Sequence, residues 1–244
     1  MQPSEWRERY RAGACAEVWA ALTALGPSVR GGNAAVHAEA VATDTMSRAR
    51  TNVETLVERL RVAGYEFERP EQAHVPPTPA LLEEIRALEA RVGPLPLSLR
   101  SFYEVVGTVD FRQSSTQLVQ WHLPERSSAS ELELLGEYNP LVVEPLDPSE
   151  AQPGWFYFAP DEYHKGNYSG GENYHVALPD PGADFPIQGL YGVDETGETF
   201  VSYLRETFAG GGFRGQVGGD EERSWMVPPD LELTRTLAGG LMPV

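Results

Sequence analysis

Apolar side chains in the first third of the chain recur every three or four residues, which is the spacing of one face of an α-helix. One such run covers residues 6–25 and is followed by Gly26-Pro27, a pair that can end a helix because proline cannot continue its hydrogen-bond ladder. A second run covers 46–60, and Gly64 follows it at the place of a left-handed C-cap, with Tyr65 able to pack back on the helix. The pattern predicts two helices.

A polar, proline-rich segment, 66–78, separates this helical pair from the rest of the chain, and we predict a domain boundary there. Thr78 and Pro79 are residue types favoured at the N-cap and the first turn of the next helix. A further short helix is predicted to begin at Pro96 and to stop at Gly107. The predicted organisation is a helical extension over 1–70, a second domain over 79–215, and an acidic, weakly structured tail over 216–244.

After Gly107 the pattern changes to short apolar stretches separated by Pro, Gly, Asn and Asp, which is typical of short strands. The predicted strands lie near residues 109–111, 118–121, 141–143, 155–158 and 175–178. One amphipathic helix follows over 200–208, and the three glycines at 210–212 end it. These elements predict an α+β fold in which a small mixed or antiparallel sheet is flanked by helices and preceded by the N-terminal helical pair.

The composition narrows the class of protein. With 244 residues and 41% apolar side chains, the chain can build a sizeable core. No run approaches the roughly 20 apolar residues of a membrane span, and the charged N-terminus lacks the apolar segment of a secretory signal. A single cysteine, Cys15, excludes an internal disulfide and a zinc site built mainly on cysteine. We therefore expect a cytoplasmic protein.

The charge of the chain points to the kind of partner. The 19 basic and 36 acidic residues leave a net charge of -17. Such a surface disfavours nucleic acid and anionic membranes, because phosphate contacts require clustered Lys and Arg. It favours a basic protein partner, although solubility alone is an alternative explanation of the charge.

Catalytic motifs are missing from the sequence, which contains no HExxH, no GxSxG and no phosphate-binding loop. Asp161, Glu162, His164 and His175 form the one local cluster that suits a divalent cation, but a solvated hairpin explains these residues better. Cys15 lies in a helical pattern, and a small buried core residue explains it better than a nucleophile. We therefore expect a protein that is not an enzyme and that uses no metal or other cofactor.

Aromatic residues are concentrated around the predicted central strands. In one strand, Trp155 and Tyr157 point to one face while Phe156 and Phe158 point to the other, so we expect one pair in the core and one pair on an open face. Tyr and Trp are enriched at binding hot spots, and neighbouring acids would speed association with a basic partner. The alternative is a solvated turn packed by its own tyrosines. The predicted partner-binding residues are Trp121, Trp155, Tyr157, Asp161, Glu162, Tyr163, His164, Tyr168, Glu172 and Tyr174.

Several separate segments resemble the SUKH superfamily in their order and spacing. The matching pieces are Leu95-Pro96 with Phe102-Tyr103, residues 107–111, Ala159-Pro160-Asp161 with Ser169-Gly170-Gly171, and 200–205 with Gly211-Gly212-Phe213. The resemblance covers residues 79–215. The chain departs from the superfamily at Val106-Gly107-Thr108, where many SUKH domains have an Asn-Gly-Gly turn.

The resemblance implies a non-enzymatic protein-binding module. Many bacterial members of the superfamily resemble immunity proteins that neutralise a toxin, often a nuclease or a deaminase, and we expect the same role here. One alternative is an adaptor or regulator that binds an endogenous protein. Another is a metal-dependent hydrolase that uses the region of Asp161 and His175. The sequence leaves the oligomeric state open.

Overall fold

The helices and strands follow the predicted α+β class. The computed structural model describes residues 2–114, 130–135, 138–161, 174–189, 198–214, 216–217, 226–227 and 231–244. The α-helices in these residues are α1 Pro3–Arg11, α2 Cys15–Thr23, α3 Gly32–Ala63, α4 Pro79–Val92, α5 Leu97–Val105, α6 Glu131–Leu135, α7 Phe200–Ala209 and α8 Glu232–Ala238. The strands are β1 His74–Val75, β2 Thr108–Asp110, β3 Val142–Val143, β4 Ala151–Gln152, β5 Trp155–Tyr157, β6 Tyr174–Ala177, β7 Gln188–Gly189, β8 Gln216–Val217 and β9 Met226–Val227. The fold-class prediction is confirmed.

The first predicted helix is in fact two helices, so that prediction was wrong. Gly13 adopts a φ of +101°, which lies outside the right-handed helical region. The helix is therefore interrupted between α1 and α2. Both helices still bury their predicted apolar side chains, including Trp6 and Tyr10 of α1 and Val18 of α2. Gly26 does not end the helix itself but begins a short 3-10 helix after α2.

The long helix α3 ends as its sequence predicts. Gly64 takes a left-handed conformation with a φ of +85°. Its N–H donates to the Arg61 carbonyl at 3.0 Å, and the Tyr65 N–H donates to the Leu60 carbonyl at 2.9 Å, which is the Schellman pattern. The buried Tyr65 hydroxyl then donates to the Phe111 carbonyl at 2.7 Å. This end of α3 is therefore tied directly to the chain that leaves β2.

The predicted caps of the next helices are also confirmed. The Thr78 hydroxyl oxygen accepts a hydrogen bond from the Leu81 N–H at 3.2 Å at the start of α4, whose Ile85 and Leu88 are buried. Helix α5 begins directly after Pro96. At Gly107, where φ is +91°, any side chain would collide with the Val75 carbonyl oxygen, so glycine permits β1 to pass close to the end of α5.

The described strand pairs are all antiparallel. They form sheets with the orders β1-β2-β3, β4-β5-β6-β7 and β8-β9. The two larger sheets are joined, because Leu141 forms an isolated bridge with Asp161 and the Val142 N–H donates to the Pro160 carbonyl at 2.8 Å. The chain that leaves β5 therefore continues alongside β3.

One cluster of buried apolar residues includes side chains from Trp6 near the start of the chain to Val244 at its end. The segment 66–78 contributes β1 and a bridge between Phe67 and Gln113, so it is part of the first sheet. The domain boundary predicted in this segment stays a prediction. Among the described residues, no helix combines the length and the apolar character needed to cross a membrane.

The predicted weakly structured tail differs from the structure over 231–244. Helix α8 lies in this segment, and the side-chain amide of Asn52 exchanges two hydrogen bonds of 2.8 Å with the backbone of Met242. Val244 is 1% exposed. The sequence pattern misses this docking because backbone groups supply the hydrogen bonds, and backbone groups leave no signature in residue type.

Candidate functional site

The aromatic strand β5 divides its side chains between the two faces as predicted. Phe156 and Phe158 are buried, while Trp155 and Tyr157 are half-buried. The rings of Trp155 and Tyr157 meet edge to face, with centroids 4.3 Å apart and planes at 72°. The open face of the strand is therefore the one that carries Trp155 and Tyr157.

An open groove of about 910 Å³ lies beside Tyr157. Its lining includes residues from the N-terminal half of α4, from β2, β3 and β5, and from the segment 144–147. The Tyr103 hydroxyl donates to the Glu144 carbonyl at 3.3 Å. The buried apolar residues of the lining are Tyr103, Val109, Val143, Leu146, Phe156 and Phe158. The groove is thus a preformed depression with an apolar interior.

Three residues of the groove lining, Glu84, Glu144 and Asp147, carry exposed carboxylates, and we call them the acidic rim. All three residues are exposed. Hydrogen bonds from the Ser149 hydroxyl at 2.6 Å and from its N–H at 2.8 Å hold the Asp147 carboxylate in place. The same two hydrogen bonds lower the pKa of Asp147, so it stays ionised at neutral pH.

Two arginines and a buried carboxylate form a second charged group, which we call the guanidinium end. Asp110, which is 6% exposed, accepts hydrogen bonds from Arg112 Nε at 2.9 Å and Nη2 at 2.7 Å. Arg69 Nη2 lies 2.7 Å from the same carboxylate. Because one carboxylate orients two guanidinium groups, both arginines are held in fixed positions against the groove.

The register of the strands shows how these two groups follow the sheet, and Arg112 joins them, because its Nη2 lies 3.7 Å from Glu144 Oε1. Phe67 forms a bridge with Gln113, so Arg69 and Arg112, which lie between that bridge and the β1–β2 ladder, share one end of the sheet. Strand β3 is antiparallel to β2, so the chain that leaves β3 at Glu144 lies beside the start of β2, at the other end of the sheet. Helix α4 follows β1 and begins at that end as well. Basic and acidic side chains therefore line the same groove and meet at the pair formed by Arg112 and Glu144.

Asp161 does not belong to an open binding face, and this part of the prediction was wrong. The residue is fully buried, and its carboxylate accepts a hydrogen bond from the Tyr203 hydroxyl at 2.5 Å. Burial, followed by the negative charge of Asp161, raises the pKa of Tyr203. The guanidinium carbon of Arg214 lies 4.7 Å from the centroid of the Tyr203 ring. The bridge with Leu141 places Asp161 inside the joined sheets, where it serves the core.

Most other predicted contact residues lie outside the described residues; these are Trp121, Glu162, Tyr163, His164, Tyr168 and Glu172. Tyr174 begins β6, where its backbone pairs with Gly189. His175 pairs with Tyr157 across β5 and β6, and burial lowers its pKa. Among the described residues, no group of three or more His, Cys, Asp or Glu side chains could hold a metal ion.

Two predictions about structural residues are confirmed. Cys15 is 4% exposed, and its thiol lies 3.6 Å from the Tyr10 carbonyl oxygen, as a small core residue. The glycines after α7 form its C-cap, since the Gly212 N–H donates to the Thr207 carbonyl at 2.9 Å and the Gly211 N–H donates to the Phe208 carbonyl at 3.1 Å.

No sequence pattern predicts the acidic rim or the guanidinium end. Glu84 is one of many acidic residues on a helix surface, and Glu144 is 60 positions away from it in the chain. Only the pairing of three short strands brings them together. Comparison of the chain with protein-family models, with curated proteins and with solved structures produced no match. The resemblance to the SUKH superfamily therefore stays a prediction.

Proposed function

We propose that this protein is a non-enzymatic binding module that uses the groove to bind a basic protein partner. One observation carries the proposal: an open groove with buried apolar residues in its lining is also lined by three residues with exposed carboxylates. A groove of this kind suits a partner that presents basic side chains around an apolar contact. The half-buried Tyr157 is of a residue type enriched at binding hot spots.

The distribution of charge along the chain supports the same proposal. Residues 1–66 contain eight basic and eight acidic residues, so their net charge is zero. Residues 67–244 contain 11 basic and 28 acidic residues and carry the entire net charge of -17. The groove lies in this second part. A negative potential around it would raise the association rate with a basic partner by about tenfold or more at low salt.

The partner in this proposal is a bacterial toxin that acts on nucleic acid, and the binding takes place in the cytoplasm. A nuclease or deaminase must present basic side chains to phosphate groups. Carboxylates of this protein would occupy those side chains and cover the active site of the toxin. The order of the SUKH-like segments is what favours an immunity role over other protein-binding roles.

The test is binding and rescue with the product of a toxin-like gene encoded beside this one. We expect the two proteins to copurify and expression of this protein to restore growth of cells that produce the toxin. Binding is measured at about 0.1 M and about 1 M salt, because the Debye length falls from about 10 Å to about 3 Å between them. The association rate should fall markedly. Absence of binding at both salt concentrations overturns the proposal, and binding without rescue favours an adaptor.

A further inference from the structure

We infer that residues 241–244 form a strap on α3, and that this strap opens by local release about Gly239 and Gly240 while the rest of the fold stays intact. The α3 residues that hold the strap do not line the groove, so the strap is independent of the proposed function. Three features of the C-terminal segment point to this motion: its polar hold on α3, its two exposed glycines and the thiol that it covers.

Side chains on one face of α3 hold the strap through its backbone. The Asn52 amide donates to the Met242 carbonyl and accepts from the Met242 N–H, both at 2.8 Å. Arg48, one turn earlier on α3, donates to the Pro243 carbonyl at 3.0 Å. The strap therefore runs antiparallel to α3. Water can replace each of these hydrogen bonds once the strap is released, so their net contribution to stability is modest.

Little apolar surface of the strap is buried. Val244 is 1% exposed, but Leu241 and Met242 are only half-buried, and Pro243 is exposed. The remaining polar contact comes from α7, where Arg205 donates to the Val244 carbonyl at 2.9 Å. One buried valine and a few hydrogen bonds hold the strap, so its release costs much less free energy than unfolding of the whole core.

Two exposed glycines, Gly239 and Gly240, join the strap to helix α8. The Leu241 N–H donates to the Ala238 carbonyl at 3.1 Å and closes a turn around them. Gly240 has a φ of +72°, a region that favours glycine, and a side chain added there would meet no described atom within 4 Å. The glycine pair is therefore free of packing and can change its backbone angles when the strap leaves α3.

Helix α8, on the other side of the glycine pair, is firmly anchored. Thr234 and Leu237 are 2% and 1% exposed. The Leu237 carbonyl also accepts a hydrogen bond from Arg59 of α3. The glycine pair thus separates an anchored helix from a lightly held strap, which is the arrangement of a hinge.

Cys15 lies beneath the strap and reports whether it is open. Its sulfur is 3.9 Å from the Pro243 carbonyl oxygen and 3.5 Å from Arg48 Nη1, the same nitrogen that binds this carbonyl. Cys15 is 4% exposed, so a dissolved reagent can reach the thiol only after a movement that uncovers it. It is also the single cysteine of the chain, so any thiol reaction is assigned to this position.

The test is the rate at which dithionitrobenzoate, a soluble disulfide, modifies Cys15 in the full chain. The Cys15 sulfur forms a disulfide with one half of the reagent, the thiol proton passes to solvent, and the other half leaves as a coloured thiolate whose absorbance is measured. Well below the unfolding transition, the rate should be nearly independent of urea, because release of a short segment exposes little surface. A rate that rises with urea as steeply as global unfolding overturns the inference.

Two glycine variants test the hinge. Gly240→Ala should speed the modification about fivefold to tenfold, because alanine at a φ of +72° is strained only while the strap is docked. Gly239→Ala is the matched control, since φ is -55° there and alanine adopts this angle readily. It should change the rate by less than about twofold. Equal rates for the two variants would contradict a hinge at this pair.

A second pair of variants tests the polar hold of α3. Asn52→Ala removes both hydrogen bonds to Met242 and should speed the modification of Cys15 about tenfold. Thr51→Ala, at the exposed neighbouring position, should change the rate by less than about twofold. In both variants the rate should stay nearly independent of urea at low concentration. If Asn52→Ala speeds the reaction no more than Thr51→Ala does, the strap does not control access to the thiol.

Discussion

Helices α1 to α3 and the groove-bearing part of the chain, residues 67–244, use their charges differently. In α1 to α3, four of the seven arginines form salt bridges with carboxylates of the same three helices, and three of these pairs join one helix to another. Asp44 of α3 forms salt bridges with Arg7 at 2.9 Å and with Arg11 at 2.7 Å, both of α1. Arg9 of α1 forms a salt bridge with Glu17 of α2 at 2.9 Å. The groove-bearing part has a large excess of carboxylates, several of them exposed on one surface feature. The comparison indicates that ion pairs join the helices of the first region, whereas the second region carries an excess of negative charge; the proposed basic partner would bind this second region.

Asp161 is the strongest test of this contrast, because it is an acid of the second region that lies in the core. We expect Asp161→Ala to lower the free energy of unfolding by about 3 kcal/mol, since a buried hydroxyl loses its charged acceptor. Urea unfolding measures the loss. Glu83→Ala, an exposed control on α4, should change the free energy by less than about 0.5 kcal/mol. A loss below about 1 kcal/mol for Asp161→Ala would mean that the hydrogen bond between Tyr203 and Asp161 contributes little to the stability of the core.

Asn52 tests whether a neutral polar contact, and not only ion pairing, holds α3 against the C-terminal segment that contains Met242. Its amide makes two hydrogen bonds with the backbone of Met242 and is 1% exposed as a residue. Asn52→Ala should therefore cost about 2 kcal/mol of unfolding free energy. Thr51→Ala, at an exposed neighbouring position of α3, is the control and should cost less than about 0.5 kcal/mol. Similar losses in the two variants would show that the Met242 contact contributes little.

Asp44 tests the ion pairs of the helical region through their pH dependence. The hydrogen bond from Arg7, with a further one from Arg11, lowers the pKa of Asp44 from 3.8 to about 2. A carboxylate with a lowered folded-state pKa stabilises the fold above its unfolded pKa and loses that effect as the pH falls from about 4 to about 2. Both arginines are about half exposed, so we expect a contribution of only about 1 kcal/mol.

The measurement for Asp44 is the difference in unfolding free energy between the wild type and Asp44→Asn. This difference should be about 1 kcal/mol near pH 5 and should shrink toward zero near pH 2. A difference that stays constant over this range would mean that packing, and not the ionised carboxylate, accounts for the effect of the substitution.

The parts of the fold that were predicted correctly depend on local sequence. Thr78 and Pro79 start a helix, and Gly64 and Gly212 close the helices before them, because capping needs only neighbouring backbone groups. The two faces of β5 were also predicted correctly, because successive side chains of a strand point to opposite faces and this depends only on neighbouring residues. Gly13 was missed because the apolar period continues across it and hides the break between α1 and α2.

The candidate site depends on contacts between distant residues, and for that reason it was largely missed. Tyr157 was predicted from its own strand, but the acidic rim and the guanidinium end arise from the pairing of β1, β2 and β3. The burial of Asp161 likewise follows from its bridge to Leu141, 20 positions earlier in the chain. A sequence pattern reports which side chains are charged but not which of them a distant strand will cover.

The smallest expected effect on stability comes from removing one exposed charge in each region. Glu84→Gln in the groove and Glu17→Gln in α2 each remove one negative charge, and each should change the unfolding free energy by less than about 0.5 kcal/mol. Their effects on association should differ. Glu84→Gln should slow association with a basic partner by about twofold to fivefold at low salt, because the lost charge lies at the docking surface. Glu17→Gln should leave the rate nearly unchanged, since Glu17 is paired with Arg9 outside the groove. Stopped-flow mixing with the toxin measures both rates. If the two variants slow association equally, only the total charge of the protein matters, and the contrast between the two regions has no bearing on binding.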